Sequence, residues 1–372
     1  MNATRYDILD VGRFFRINGN FLEAEPCGNG HINDTYAAVY DVNGSKVRYI
    51  HQRINTDIFK KPFELMNNVV RVTEHQRKKL NNSQYDDAER RALTLIPAID
   101  GKYFHENSDG IWRTYKFIEG AQTREVVESA GQAFEVARMF GDFQRQLVDL
   151  PGRLAETIPD FHNTPKRFEA LEKAIDADAV NRAANAQNEI EFAVRHKEMT
   201  NVLIDMQKKG LIQERVTHND TKLNNVMLDI KTGDGVCIID LDTVMPGLVL
   251  YDFGDMVRTA TSFSEEDEKD LSKVWMQISV FEALARGYIS SAGEFLTDIE
   301  KQYLPFSGKL ITFETGIRFL TDFLSGDIYF RIHRPEHNLD RCRTQFKLVA
   351  SIEEQEEQMN KIVSTASQTD GR

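Results

Sequence analysis

Cysteine is scarce. The three residues, Cys27, Cys237 and Cys342, stand far apart with no CxxC pair, which argues against a disulfide framework or a structural zinc site and points to a reducing, cytoplasmic setting. No apolar run approaches the roughly twenty residues that a membrane span needs, and the N-terminus MNATRYDILDVGRFF lacks the basic stretch and apolar core of a secretion signal. Positive charge is also short: 46 basic residues face 58 acidic ones, a net charge of -12, so the overall field repels nucleic acid and leaves at most a local basic pocket for phosphate. The expected partners are small molecules, with no nucleic acid and no membrane, acting on a monomer or weak dimer.

What is present is an ordinary globular composition, 41% hydrophobic and 28% charged, over 372 residues, enough for two cores. Residues 21 to 54 alternate short apolar runs (FLEAEPC, TYAAVYDV, VRYIHQRI) with GNGHIND and NGSK turns, the pattern of consecutive antiparallel strands. Pro62 then opens a helix to about Asn81, with Phe63, Met66, Val69, Val70 and Thr73 on its apolar face. Strands are expected again at 92 to 98 and 111 to 118. From 123 to 149 Val126, Ala130, Phe134, Ala137 and Phe140 recur at helical spacing, and a Pro-bounded connector at 151 to 165 leads to helix at 166 to 209, where NRAANAQNEIE reads as a solvated face. NNVMLDI and GVCIIDL form a hairpin across KTGDG. Helices follow at 252 to 260, 267 to 292, 297 to 326 and 337 to 363, and STASQTDGR is expected to fray. The fold class is α+β, with a first domain at 1–120 and a second, mostly helical one at 121–372.

The chemistry concentrates in THNDTKLNNVMLD and the strand that follows. Asp220 stands two residues after His218 and five before Asn225, and Asp240 closes the second strand of the hairpin. A carboxylate, an amide oxygen and a second carboxylate on loops at neighbouring strand ends suit phosphoryl transfer: Asp220 takes the proton of an acceptor hydroxyl, while Asn225 and Asp240 hold Mg2+, which favours hard oxygen ligands. The competing reading makes Asp220 the brace of an Asx turn. His218 reads as a buried support for the loop. Asp240 and Asp242 point to one side if the strand persists through both.

The pattern HxDxxxxN followed by a strand ending in Asp resembles the aminoglycoside phosphotransferase and choline kinase superfamily. The blocks GNGHINDTY, QRINTDIFKKPFELM, THNDTKLNNVMLD, IDLDTVMPGLVLYDFGD and FETGIRFLTDFL together resemble its N-acetylhexosamine 1-kinases. That resemblance, which runs through both domains, implies a two-lobed protein-kinase-like fold: a five-stranded antiparallel sheet with a helix, a hinge at about 115–121, and a larger helical lobe carrying the catalytic loop and a short hairpin. It also implies ATP as co-substrate and the anomeric hydroxyl of an N-acetylhexosamine as acceptor. Gly28, Asn29 and Gly30 then cover the nucleotide phosphates, although a plain hairpin turn uses the same residues. Phe117 and Ile118 meet adenine through their backbone.

The third strand has no Lys where the family pattern places one to grip phosphate. Arg53 takes that role here, with Glu74 or Glu64 on the next helix as its acidic partner, though a solvated face accounts for both glutamates equally. His31, Asn33, Asp242, Arg318 and Tyr329 are assigned to the sugar beside Asp220. For Arg318 the bland alternative is an ion pair with Asp322 one helical turn on. Asp252-Phe253-Gly254 spells the metal motif of protein kinases, but its position opening a helix resembles the family's structural Asp. Two other functions stay open: a kinase of the same fold acting on another alcohol, such as a different hexose, an amino alcohol or an aminoglycoside, and an inactive nucleotide-binding scaffold.

Overall fold

The computed structural model describes residues 6–28, 32–81 and 87–369. Its contacts divide the chain into two compact units, one of residues 1–122, 149–159 and 227–245, the other of 123–148, 160–226 and 246–372. Among the described residues no helix is long and apolar enough to cross a membrane.

The first unit opens with a short helix α1 (Ile8–Arg13), capped by the Asp7 carboxylate on the Asp10 N–H. Strands β1 (Asn20–Pro26), β2 (Asp34–Val42) and β3 (Ser45–Ile54) follow, then helix α2 (Pro62–Asn81), β4 (His105–Asn107), β5 (Gly110–Lys116) and the two-residue β6 (Ala121–Gln122). The main sheet is antiparallel in the order β1-β2-β3-β5-β4. One face buries Tyr36, Ala38, Tyr40 and Trp112 against Ile8, Val11 and Phe15. So α1, too short to show a period in the sequence, packs on this face of the sheet.

Alternation along β5 sends Trp112 to that face and Arg113 to the other, where Arg113 approaches Met66 of α2. The buried stripe of α2 is Leu65, Met66, Val69, Val72 and Thr73, while Phe63 is exposed. Residues 92 to 98 are a correction: they make one bridge to β5, Leu95–Tyr115, and one to the segment after α1, Phe15–Ala98, and the sheet's fifth strand is His105–Asn107 instead.

The second unit begins with α3 (Ala130–Leu147), capped by Ser129, so Val126 lies before the helix and is exposed. Helices α4 (Thr164–Ala177), α5 (Gln187–Arg195) and α6 (Val202–Lys208) follow; the stretch read as solvated buries Ala186 and Ile190. Next come β7 (Arg215–Thr217) and the hairpin strands β8 (Val226–Asp229) and β9 (Gly235–Ile238), which extend β6 into a three-stranded sheet and count with the first unit. After β10 (Met245–Gly247) the chain is helical: α7 (Val249–Ala260), α8 (Ile278–Ala292), α9 (Asp298–Gln302), α10 (Leu304–Leu324), α11 (His337–Glu354) and α12 (Glu356–Thr369).

Residues 267 to 277 are not helix, apart from one 3-10 turn at Leu271–Lys273, and the tail expected to fray stays helical to Thr369. The helical core gathers Phe168, Leu171, Phe313, Ile317, Phe323 and Phe346 from α4, α10 and α11. Helices α3 and α8 approach through Gly287, where a Cβ would collide with the Phe134 carbonyl oxygen.

Candidate functional site

The segment from His218 to Asn225 sits in the second unit, between β7 and the end of a 3-10 turn at Leu223–Asn225. Two acids one turn apart on α7 hold it from below. Asp252 accepts the His218 N–H (2.9 Å), the Asn219 N–H (2.7 Å) and the Gln144 side-chain amide (2.6 Å); Asp255 accepts the Thr221 N–H (2.9 Å). Burial pushes the Asp252 carboxyl up, and these donors offset only part of the effect. The Asp-Phe-Gly triplet is therefore a brace of this loop. His218 is fully buried, edge-on to Phe140 and Phe143, and its Nδ1 accepts the Asp220 N–H at 3.3 Å. Asn219 takes the left-handed conformation (φ 65°), which Asn tolerates better than most residues.

This bracing leaves Asp220 half-buried with its carboxylate shared. Asn225 donates through Nδ2 to the Asp220 carbonyl (2.8 Å) and to Oδ2 (3.0 Å), while Lys222 Nζ lies 2.9 Å from Oδ1. Burial pushes the Asp220 carboxyl up, but the Lys222 charge and the Asn225 amide outweigh it and hold it below the usual carboxylate range. Asp220 in turn raises Lys222. The structure thus brings Asp220 and Asn225 together. It adds Lys222, whose only signal in the sequence is its place two residues after Asp220.

The turn after β9 belongs to the first unit and departs from the expected geometry. The strand ends at Ile238, Asp240 is left-handed (φ 59°, ψ 60°), and Leu241–Thr243 is a 3-10 turn, so Asp240 is exposed and Asp242 buried. Asp242 is committed: Oδ1 lies 2.5 Å from Arg113 NH1, and Oδ2 accepts the Asn33 side-chain amide at 2.7 Å. Asn33 is tied at its other end by the Asn55 N–H (2.9 Å), and Arg113 also donates to Gln52 Oε1 from Nε (2.9 Å) and NH2 (2.6 Å). Arg113 and Asp242 are 1% and 2% exposed. Burial pulls the guanidinium down, and Asp242, with Asp240 nearby, more than restores it.

Pleat parity separates the two residues assigned to the phosphate clamp. Arg53 pairs in register with Asp34 and Trp112, so it shares their face of the sheet, opposite Arg113. There it bonds Asp34 (3.1 Å) and the Asp109 carbonyl and lies over Tyr6, not beside Glu74, which is exposed and accepts the Tyr103 hydroxyl (3.2 Å). The β3 residue directly opposite Arg113 is Gln52. Gly28 makes its turn with φ 83°, while Asn29, Gly30 and His31 lie outside the described residues. After β5 Phe117 stacks under Arg48 (3.7 Å), its N–H donates to the Arg48 carbonyl (3.1 Å), and Ile118 is buried.

In the second unit Arg318 lies over the Phe330 ring (5.6 Å) and does not pair with Asp322. Asp322 turns instead to the loop after α10, where it accepts the N–H groups of Ile328, Tyr329 and Phe330. Tyr329 itself is 71% exposed. One turn before Arg318, Glu314 is spent on His162 (2.8 Å) and Thr164 (2.6 Å).

Among solved structures the chain resembles an aminoglycoside phosphotransferase from Alicyclobacillus acidocaldarius, with a TM-score of 0.59 over 100% of this chain and 98% of that one at 10% identity. It also resembles a choline kinase from Cryptosporidium parvum (TM-score 0.53, 96% and 98% covered, 14% identity) and a spectinomycin phosphotransferase solved with ADP and spectinomycin (0.52, 94% and 98%, 14%). At such identities the likeness is one of fold, and it agrees with an antiparallel N-terminal sheet followed by a helical region. The model of the phosphotransferase enzyme family, APH, matches residues 23–294, most of the sequence and all of the Thr217–Asn225 loop, and the chain belongs to that family.

Proposed function

We propose that the protein uses ATP to phosphorylate the anomeric hydroxyl of N-acetylglucosamine and N-acetylgalactosamine, giving the sugar 1-phosphate. The observation that carries the reading is the Asp220 carboxylate, kept ionised by Lys222 and anchored by Asn225. The hydroxyl oxygen attacks the terminal phosphorus in line, the bond to the bridging oxygen of ADP breaks, and the hydroxyl proton passes to Asp220. Since the transition state is loose, the proton moves late and a weak base is adequate. A hemiacetal hydroxyl, more acidic than an ordinary alcohol, eases the step further.

Asn225 and Asp240 are assigned to Mg2+, each for the oxygen it offers. Asn225 spends its NH2 group on Asp220, which leaves Oδ1, a neutral hard oxygen, uncommitted, and Asp240 is an exposed carboxylate. When bound, the ion neutralises charge on the triphosphate. Gly28, Asn29, Gly30, Phe117 and Ile118 are assigned to the nucleotide, and His31, Arg318 and Tyr329 to the acceptor. Asp242 and Asn33 serve as the support of the Asp240 turn, given their mutual bond and Arg113.

A neutral acceptor is favoured over the cationic ones named for some structural neighbours, because Glu314 and Asp322, the acids flanking Arg318, are both consumed internally. The test is a panel of free N-acetylhexosamines, other hexoses, amino sugars and amino alcohols incubated with ATP, with phosphate position read by phosphorus NMR. A 1-phosphate of an N-acetylhexosamine supports the proposal. Phosphate found only on another alcohol replaces the acceptor, and no ATP consumption with any of them overturns the enzymatic reading.

A further inference from the structure

The loop that follows α10 is held far more firmly than its own side chains require. Past the helix end, Gly326 (φ 95°) and Asp327 (φ 59°) turn the chain through two left-handed residues, and the next three backbone N–H groups all end on one carboxylate. Asp322 Oδ1 accepts from Ile328 (2.9 Å) and Tyr329 (2.8 Å), and Oδ2 accepts from Phe330 (2.9 Å) and from the Asn338 side chain (2.9 Å). Asn338 donates also to Asp327 Oδ1 (2.8 Å), whose other oxygen lies 2.5 Å from Arg182, itself bonded to the Phe323 carbonyl (3.0 Å).

A carboxylate with four donors, 4% exposed, fixes a segment of which only Phe330 packs inward, onto Phe319. Ile328 and Tyr329 stand 82% and 71% exposed. Large apolar side chains left in water on an over-determined backbone mark a surface held ready for a ligand, since ordering done beforehand is not charged against binding. The same carboxylate sits one helical turn beyond Arg318, whose guanidinium lies over Phe330, the ring that touches Tyr329 at 4.8 Å. Asp322 therefore sets where Tyr329 stands relative to Arg318.

We infer that Asp322, seconded by Asn338, is the positioning residue of acceptor recognition, fixing Tyr329 against Arg318 without touching the sugar. This rests on the proposed reading in which Arg318 and Tyr329 contact an N-acetylhexosamine. Asp322→Asn keeps the shape but presents an NH2 group to donors that need an acceptor, so the loop loses part of its clamp.

The test compares Asp322→Asn, Asn338→Ala, Tyr329→Ala and the double variant of 322 and 329, with KM measured separately for acceptor and ATP. Hydrogen exchange at amides 328 to 330 is followed alongside, and Asn338→Ala carries the test if Asp322→Asn does not fold. The expected result is faster exchange confined to this loop, an acceptor KM raised on the order of tenfold with the ATP KM within about twofold, and little further loss from Asp322→Asn once Tyr329 is already Ala. Equal rises in both KM values, additive losses in the double variant, or an unchanged acceptor KM despite a released loop would each overturn the inference. A wild-type enzyme inert towards every N-acetylhexosamine overturns the functional reading first and the positioning claim with it, an outcome visible before any variant is made.

Discussion

At the scale of single residues, the loop proposed to be catalytic shows how one lysine sets the character of a neighbouring acid. Lys222 is the chief stabilising charge on Asp220, so its removal shifts the balance toward burial. The linkage sign is fixed: Asp220 is held below its ordinary range, its ionised form is favoured by Lys222, and deleting that charge raises its pKa. In Lys222→Met the acidic limb of the kcat/KM profile therefore moves to higher pH, whereas Asp220→Asn abolishes the limb along with about a hundredfold to ten-thousandfold of the rate. A limb unmoved in Lys222→Met would show that another group controls it. Lys222 came only from the structure, whereas Asp220 and Asn225 were legible in the sequence, because they meet through spacing within a few residues. Asp322 was not, since its partners are backbone N–H groups, which carry no residue signature.

Among secondary-structure elements, the sheet decides which cation stands where. The sequence offers Arg53 on β3 and says nothing of which face it takes; register with Asp34 and Trp112 turns it to the α1 side, and β5 supplies Arg113 to the other. Registry between strands far apart in the chain is not encoded in either strand alone, which is why hairpins and the α2 helix could be read and this pairing could not. Segment 92–98 is the same case, strand-like in composition but with only bridges as partners. A buried ion pair predicts a lopsided mutational response. Arg113→Met should cost about 3–5 kcal/mol in urea unfolding by stranding Asp242, and adding Asp242→Asn should recover a large part of it. Additive losses in that cycle would argue against direct coupling.

For the whole molecule, pH response is the sum of groups like these, and one contributor can be isolated. His51 is buried in the sheet between the Tyr40 hydroxyl (3.1 Å) and Thr114 Oγ1 (2.8 Å), and burial lowers its pKa from 6.5 to about 4. The folded protein keeps His51 neutral while the unfolded chain protonates it below 6.5, so its contribution is complete above that pH and is lost as pH falls towards 4. The difference amounts to ~3 kcal/mol. His51→Gln should flatten the stability curve between those limits, read from urea midpoints at several pH values, and parallel curves for the two proteins would refute it. Another whole-molecule property follows from where the units divide. The first unit draws on residues 149–159 and 227–245 as well as its N-terminal stretch, so a ribosome must pass Met245 before Asp242 can reach Arg113 and β8 can pair with β6. Neither unit is a cassette: a fragment cut at Gln122 would carry an unpaired buried guanidinium, and grafting this half onto a relative means transplanting three segments together.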